Sequence, residues 1–218
     1  MHDGTRFWFA WVLAAAVLAG CVVGGGEATE EPPGPTAPPT EAAEVARVRD
    51  ALASCDLPPV AMPTRPAEIP GYARLDGATG LHVTGIVPEE IDLDGWRLEV
   101  TGAVESPLTL TLDELRCMAQ VTGRPTLVCP GFFVDEAEWT GVPLRDVLAA
   151  SGAPPAGVRV RLYGADGYDQ QVPIETAMSP TSYLAYEWEG EPLPFIHGFP
   201  LRAVFPGESG NLWVKWLY

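Results

Sequence analysis

The prolines constrain this chain more than any other feature. Between Pro58 and Pro70 there are five of them, Pro58, Pro59, Pro63, Pro66 and Pro70. Each fixes φ and removes a backbone donor, so neither helix nor sheet can persist, and the stretch is expected to cross a domain surface as an extended arm. Upstream, VVGGGEATEEPPGPTAPPTEAAE is rich in Pro, Gly, Thr and Glu and cannot bury enough apolar surface to fold, which predicts a tether over residues 21–43. Between the two, Glu41–Ser54 sets Val45, Val48 and Leu52 at helical spacing and predicts one short helix. Helix and arm together occupy residues 44–79, and the compact domain is expected from residue 80 to 218.

Within that domain the patterns are mostly those of short strands. Leu81–Val87, Trp96–Val104, the start of SPLTLTLDELRCMAQ, Gln120–Val128, Val158–Tyr163, Ser182–Glu187, Leu201–Phe205 and Leu212–Leu217 all read as strands. A helix is predicted from Thr111, with Glu114 as its capping-box partner. Short helices also fit Pro143–Ala150 and Pro173–Met178. Many strands, few helices and no regular βαβ repeat define an α+β class, a mainly β mixed-sheet domain with short helices.

Charge narrows the function. With 13 Lys and Arg against 29 Asp and Glu, the formal charge is −16, which argues against nucleic acid as a partner, because a polyanion is bound by surplus cations. An anionic small ligand remains possible where the few cations converge. Lys215, in the terminal GNLWVKWLY, is the only lysine in the chain. The three histidines, His2, His82 and His197, cannot supply an H-E-x-x-H zinc site, and there is no phosphate-binding glycine loop and no C-x-x-C-H haem motif.

The uncharged run Phe7–Gly20 suits a signal-peptide core and is short for a membrane span. Leu18-Ala19-Gly20-Cys21 resembles the lipobox of bacterial lipoproteins, which implies a signal peptide over residues 1–20, a lipid on Cys21 and an extracytoplasmic domain anchored to the membrane. Cys55, Cys117 and Cys129 would then meet an oxidising space, where one of the three is left over for chemistry or packing.

Five segments in order, WRLEVTGAVESPLTLTLDEL, TLVCPG, WTGVPLRDVLAASG, YGADGY and LAYEWEGEPLPFIHGFPLRAVFPGESGNLWVKWLY, together resemble the molybdopterin-binding oxidoreductase domain of the sulfite oxidase family. The resemblance covers roughly Leu81–Tyr218 and implies a sulfite-oxidase-type fold holding molybdenum–molybdopterin. It makes Cys129 the metal ligand and catalytic centre, a role that suits a soft thiolate. The alternative for Cys129 is a buried free thiol or half of a disulfide. His197 and Arg202, read as two cations, match the family's pterin and phosphate contacts. Lys215 matches its phosphate-contacting lysine and Asp166 a further cofactor contact. Gly207 and Gly210 form the turn that lets backbone donors near an anion, and Trp213 and Val214 are expected to add N–H groups. With Cys21 and Cys129 assigned in this way, the resemblance implies that Cys55 and Cys117 pair.

Departures from the family bear on the substrate. No cation lies between Cys129 and Trp139, the family's segment of Asn, Arg and His beside Val-Pro is replaced by HVTGIVPE, and the tyrosine expected beyond the lysine has no counterpart before Tyr218. The expected activity is oxygen-atom transfer on a small, non-sulfite, neutral or apolar substrate near Phe132 and Phe133, with electrons exchanged with an external partner. The alternative is a non-catalytic envelope lipoprotein that keeps the fold and binds a pterin or other anionic ligand.

Overall fold

The computed structural model describes residues 55–154 and 156–218. The predicted signal peptide, tether, Cys21 and the helix over Glu41–Ser54 lie outside them. Residues 55–73 have no regular secondary structure, as their prolines dictate. The stretch is fastened to the domain by a Cys55–Cys117 disulfide, by Arg116, whose guanidinium donates to the Pro58 carbonyl at 3.0 Å, and by Arg65, which donates to the Pro88 carbonyl at 3.0 Å.

The core is a five-stranded antiparallel sheet. Its central strand, Tyr183–Trp188, pairs along one side with Trp139–Pro143, which in turn pairs with Val121–Gly123. Along the other side it pairs with Arg202–Val204 at one end and Glu191–Pro192 at the other. Gly141 sits opposite Ala185, and a Cβ there would run into the Leu184 carbonyl, so only glycine lets these strands approach. Four two-stranded ladders surround the sheet: Arg74–Leu75 with His82–Val83, Leu98–Val100 with Leu108–Leu110, Thr126–Cys129 with Phe133–Glu136, and Arg159–Tyr163 with Asp169–Pro173. All are antiparallel, and among the described residues parallel pairing is confined to the isolated bridge Val128–Ser209.

The three α-helices are short, and two of them start directly after a proline. Leu112–Cys117 begins with the predicted capping box, in which the Thr111 hydroxyl accepts from the Glu114 N–H and the Glu114 carboxylate accepts from the Thr111 N–H. Leu144–Ala150 and Ile174–Ala177 each follow a proline at the cap position. Trp139, Leu184, Phe199, Leu201, Phe205 and Leu217 are almost completely buried and form the centre of the core.

Several sequence expectations need correction. Gln120–Val128 is two strands in two sheets, because Arg124-Pro125 interrupts the ladder. Leu81–Val87 pairs only at His82–Val83, since Gly85 at φ 78 bends the chain away. Leu212–Leu217 is no strand: a 3-10 turn spans Gly210–Leu212, and Trp216 takes φ 51 with its indole donating to the Phe195 carbonyl at 2.8 Å. The strands Phe133–Glu136 and Asp169–Pro173 carry acidic or amide residues that hide the alternation used to find the others, and Trp139–Pro143, WTGVP, has a glycine at its centre and a proline at its end that read as turn residues.

Candidate functional site

A single glycine gathers the predicted cations. The 3-10 turn Phe195–His197 ends at Gly198 with φ 116, where a Cβ would lie 3.0 Å from Cβ of Arg202 and 3.2 Å from Cβ of Lys215. Both the conformation and the space demand glycine, and with it His197, Arg202 and Lys215 converge.

These groups are interior. Relative exposure is 1% for His197, 4% for Arg202 and 8% for Lys215. Arg202 lies over the Trp139 ring, 4.4 Å from its centroid, and donates from one terminal nitrogen to the His197 carbonyl at 3.0 Å. Its Nε is buried and has no partner. Lys215 donates to the carbonyls of Thr84 and, at 3.4 Å, Ile196, with its ammonium 4.3 Å from the centre of the Trp216 ring. Among the described residues neither cation forms a salt bridge with a carboxylate. Burial, reinforced by the Arg202 charge, pulls the Lys215 amine down to about 7 against the weaker pull of Asp166. Burial lowers Arg202 to about 10, so it stays charged at neutral pH.

His197 is not the second cation that the sequence suggested. Burial first, then the charges of Lys215 and Arg202, push its imidazole down to about 3, so it is neutral. Its Nε2 lies 2.9 Å from the Thr79 hydroxyl and 3.2 Å from Asp76. Since that hydroxyl donates to Asp76 at 2.7 Å, the imidazole carries its hydrogen on Nε2, and Nδ1 is the bare nitrogen.

The other predicted positions divide. Asp166 accepts the Tyr168 N–H at 3.1 Å, and its oxygens leave no room for a side chain at Gly85 or Gly164, each 2.7 Å from where a Cβ would stand. Gly210 packs on the strand that ends at Cys129: its Cβ would be 2.7 Å from a Leu127 methyl. Trp213 and Val214 do not offer free donors. The N–H of Trp213 bonds the Gly210 carbonyl at 3.2 Å and that of Val214 the Leu212 carbonyl at 2.9 Å, so both residues are buried packing beside Arg202.

Cys129 ends the strand Thr126–Cys129 at a hairpin turn, where Pro130 and Gly131 at φ 80 carry the chain back and the Phe132 N–H bonds the Cys129 carbonyl at 3.0 Å. Its thiol is free and half-buried. Burial, then the charge of Asp135, raises its pKa, so a bound cation has to supply the attraction that holds the thiolate. Alternation along the hairpin puts Leu127, Cys129, Phe133 and Asp135 on one face. Segment 82–85 joins the two halves of the site: His82 bonds Asp135 on that face, and the Thr84 carbonyl accepts from Lys215. Asp76, Thr79, His82, Thr84 and Asp135 were not singled out from sequence. Thr84 acts through a carbonyl, which no residue type announces, and the others become visible only when residues 76–85 are folded against the hairpin and the 3-10 turn.

Two unpaired buried cations, one with an orphaned donor, call for an anion, and a lone thiol at the other end calls for a soft metal. Among the described residues no three His, Cys, Asp or Glu side chains cluster as a metal site, so the rest of the ligand shell has to arrive with the ligand. The arrangement is of the kind that suits a cofactor-binding domain, with room for an anionic group at one end and a metal at the other. The chain belongs to the oxidoreductase molybdopterin binding domain family, which it matches over residues 84–218. It is 33% identical over 135 residues to an uncharacterized oxidoreductase, YuiH, of Bacillus subtilis, covering 62% of this chain and 68% of that protein. It is 34% identical over 157 residues to mitochondrial sulfite oxidase of Homo sapiens, covering 58% of this chain but only 29% of that one. The crystal structure of the sulfane dehydrogenase SoxCD from Paracoccus pantotrophus superposes with a TM-score of 0.55 at 31% identity, over 62% of this chain and 39% of that one. The fold is therefore of the sulfite oxidase type, and the cofactor is molybdenum–molybdopterin.

Proposed function

We propose that this oxidoreductase transfers an oxygen atom to or from a small uncharged substrate such as a sulfoxide, outside the cytoplasm, held to the membrane by a lipid on Cys21 and exchanging electrons with an external partner. The observation that carries the substrate reading is the electrostatics at Cys129. Among the described residues the charge that raises the pKa of its thiol is the carboxylate of Asp135, and the residues around the turn are Phe132, Phe133 and Tyr72, whose ring lies edge-on 5.9 Å from Phe132. A carboxylate beside the reacting end repels sulfite and leaves a neutral molecule unaffected. Export is supported by the disulfide between Cys55 and Cys117, a bond that persists in oxidising compartments.

Cys129 would hold the metal, and Arg202 and Lys215 the phosphate. The cofactor supplies the two-electron chemistry when bound. Neutral His197, kept in one tautomer by Thr79 and Asp76, presents Nδ1 as an acceptor without adding a third positive charge. Arg202 is immobilised between Trp139 and Trp213, so little ordering remains to be done when the anion arrives.

The test compares dye-coupled reduction of methyl phenyl sulfoxide with sulfite oxidation by the same molybdenum-loaded preparation. The sulfoxide is expected to have the higher kcat/KM. Sulfite turnover at an equal or greater kcat/KM would overturn the substrate reading.

A further inference from the structure

His82 and Asp135 form a pair that the cofactor contacts do not use. Asp135 is 7% exposed, and both of its oxygens are committed to one residue: Oδ2 accepts the His82 backbone N–H at 2.8 Å, and Oδ1 meets His82 Nδ1 at 2.6 Å. The His82 ring is stacked on Phe133, with centroids 4.5 Å apart and planes at 7°. Phe133 is the cross-strand partner of Cys129, and Phe133, Asp135 and Cys129 share one face of the hairpin. The imidazole is thus fixed from two sides, by a buried carboxylate and by an aromatic face, next to the residue that would carry the metal. The pairing through Nδ1 leaves Nε2 without a partner among the described residues, and the side chain keeps 25% exposure.

A buried carboxylate that orients a histidine through one nitrogen and leaves the other free is the arrangement a proton-exchanging group requires. We propose that His82 Nε2 exchanges a proton with the substrate oxygen at the Cys129 end, and that Asp135 is the positioning residue that holds it. The inference rests on the proposed oxygen-atom transfer. Reduction of a sulfoxide takes up two electrons and two protons and releases the sulfide and water: the sulfur–oxygen bond breaks, an external electron carrier such as a reduced dye supplies both electrons, His82 delivers one proton to the departing oxygen, and solvent supplies the second proton and reprotonates Nε2. The charged groups packed around it are Asp135 from the hairpin and, along its own segment, the Lys215 ammonium on the Thr84 carbonyl. Its partner across the small ladder, Leu75, is uncharged.

The experiment uses the full chain as wild type, His82→Gln and Asp135→Asn. Glutamine can still donate to Asp135 but cannot exchange a proton. With molybdenum content equal to wild type, His82→Gln is expected to lower kcat for methyl phenyl sulfoxide by about 100-fold and to flatten its pH profile, with KM little changed. Asp135→Asn is expected to give a smaller loss and a displaced profile. Independently of turnover, the His82 Nε2 signal in ¹⁵N spectra of the wild-type protein is expected to shift saturably when dimethyl sulfoxide is added. Wild-type protein that binds molybdenum yet reduces no sulfoxide refutes the substrate reading of the previous section. An Nε2 signal indifferent to the probe, or a His82→Gln enzyme with wild-type rate and pH profile, overturns the role of His82.

Discussion

Replacing Lys215 by methionine should make the cofactor-free protein more stable. The ammonium is interior, has no carboxylate partner, and its pKa is pulled from 10.5 to about 7, chiefly by burial and then by Arg202. The fall from 10.5 to about 7 corresponds to roughly 5 kcal/mol of penalty for holding the charge in the folded state, at about 1.4 kcal/mol per tenfold change in proton affinity. Methionine keeps most of the stem and removes the charge. Against this, the carbonyls of Thr84 and Ile196 lose a donor, which costs about 1–2 kcal/mol, so a net gain of roughly 3 kcal/mol is expected below pH 7. The sign with pH follows from linkage. A lysine whose folded pKa is depressed leaves the unfolded chain with more bound protons between about 7 and 10.5, so wild-type stability should rise across that window. By pH 9 the advantage of the variant should be gone. Higher pH confuses the result, because buried Tyr183 and Tyr186 are pushed up, the latter to about 12, and begin to favour unfolding once the unfolded tyrosines ionise. The assay is urea denaturation of cofactor-free wild type and Lys215→Met at pH 6, 7, 8 and 9, paired with molybdenum content after expression in a host that makes the cofactor. Stability should go up and occupancy down. A variant less stable at pH 6 by an amount that does not change to pH 9 would refute the reasoning, since it would mean that the lysine is compensated inside the fold and awaits no anion.

Two further perturbations probe the frame around that charge. Gly198→Ala puts a methyl 3.0 Å from Arg202 and 3.2 Å from Lys215 at a φ of 116, and should lower both stability, by about 1–3 kcal/mol in chemical denaturation, and cofactor occupancy. Wild-type occupancy in that variant would show that the three residues need not converge. Replacing Cys55 and Cys117 together by serine opens a loop of sequence separation 62 and should destabilise the protein by up to roughly 4 kcal/mol without removing molybdenum from protein that remains folded, measured by thermal unfolding and metal analysis.

What could be read from the sequence was whatever a residue type or a local spacing carries by itself. The capping box at Thr111 and Glu114, the turn at Cys129-Pro130-Gly131 and the absence of regular structure from Pro58 to Pro70 are decided by their own side chains, and the structure has them where they were expected. Leu212–Leu217 was misread because its apolar alternation arises from tertiary demands: Trp213 and Trp216 are turned inward to bond the carbonyls of Phe205 and Phe195, and the backbone bends to allow it. The charge state of His197 was equally invisible, since it depends on Lys215 and Arg202 lying against it in space.

The same distinction explains the division of labour in the site. The anion end is built from residues that are poor choices for stability: a buried lysine, a buried arginine with an unpartnered Nε and a left-handed glycine that only just admits both. The two buried cations are unfavourable without an anion and would become favourable with one, so the fold would store at this end part of the free energy that holds the proposed ligand. The Cys129 end carries the opposite charge. Asp135 opposes ionisation of the thiol, so a strongly bound cation is needed to keep it as thiolate, and in the proposed substrate reading the same carboxylate would disfavour the approach of anions. In the proposed mode, a molecule held by its phosphate at Lys215 and Arg202 and by its metal at Cys129 would meet positive charge at one end and the Asp135 carboxylate at the other, which would fix its direction along segment 82–85. Reversal would set a phosphate against Asp135 and leave two buried cations unpaired, so the proposed orientation would follow from the placement of three charges.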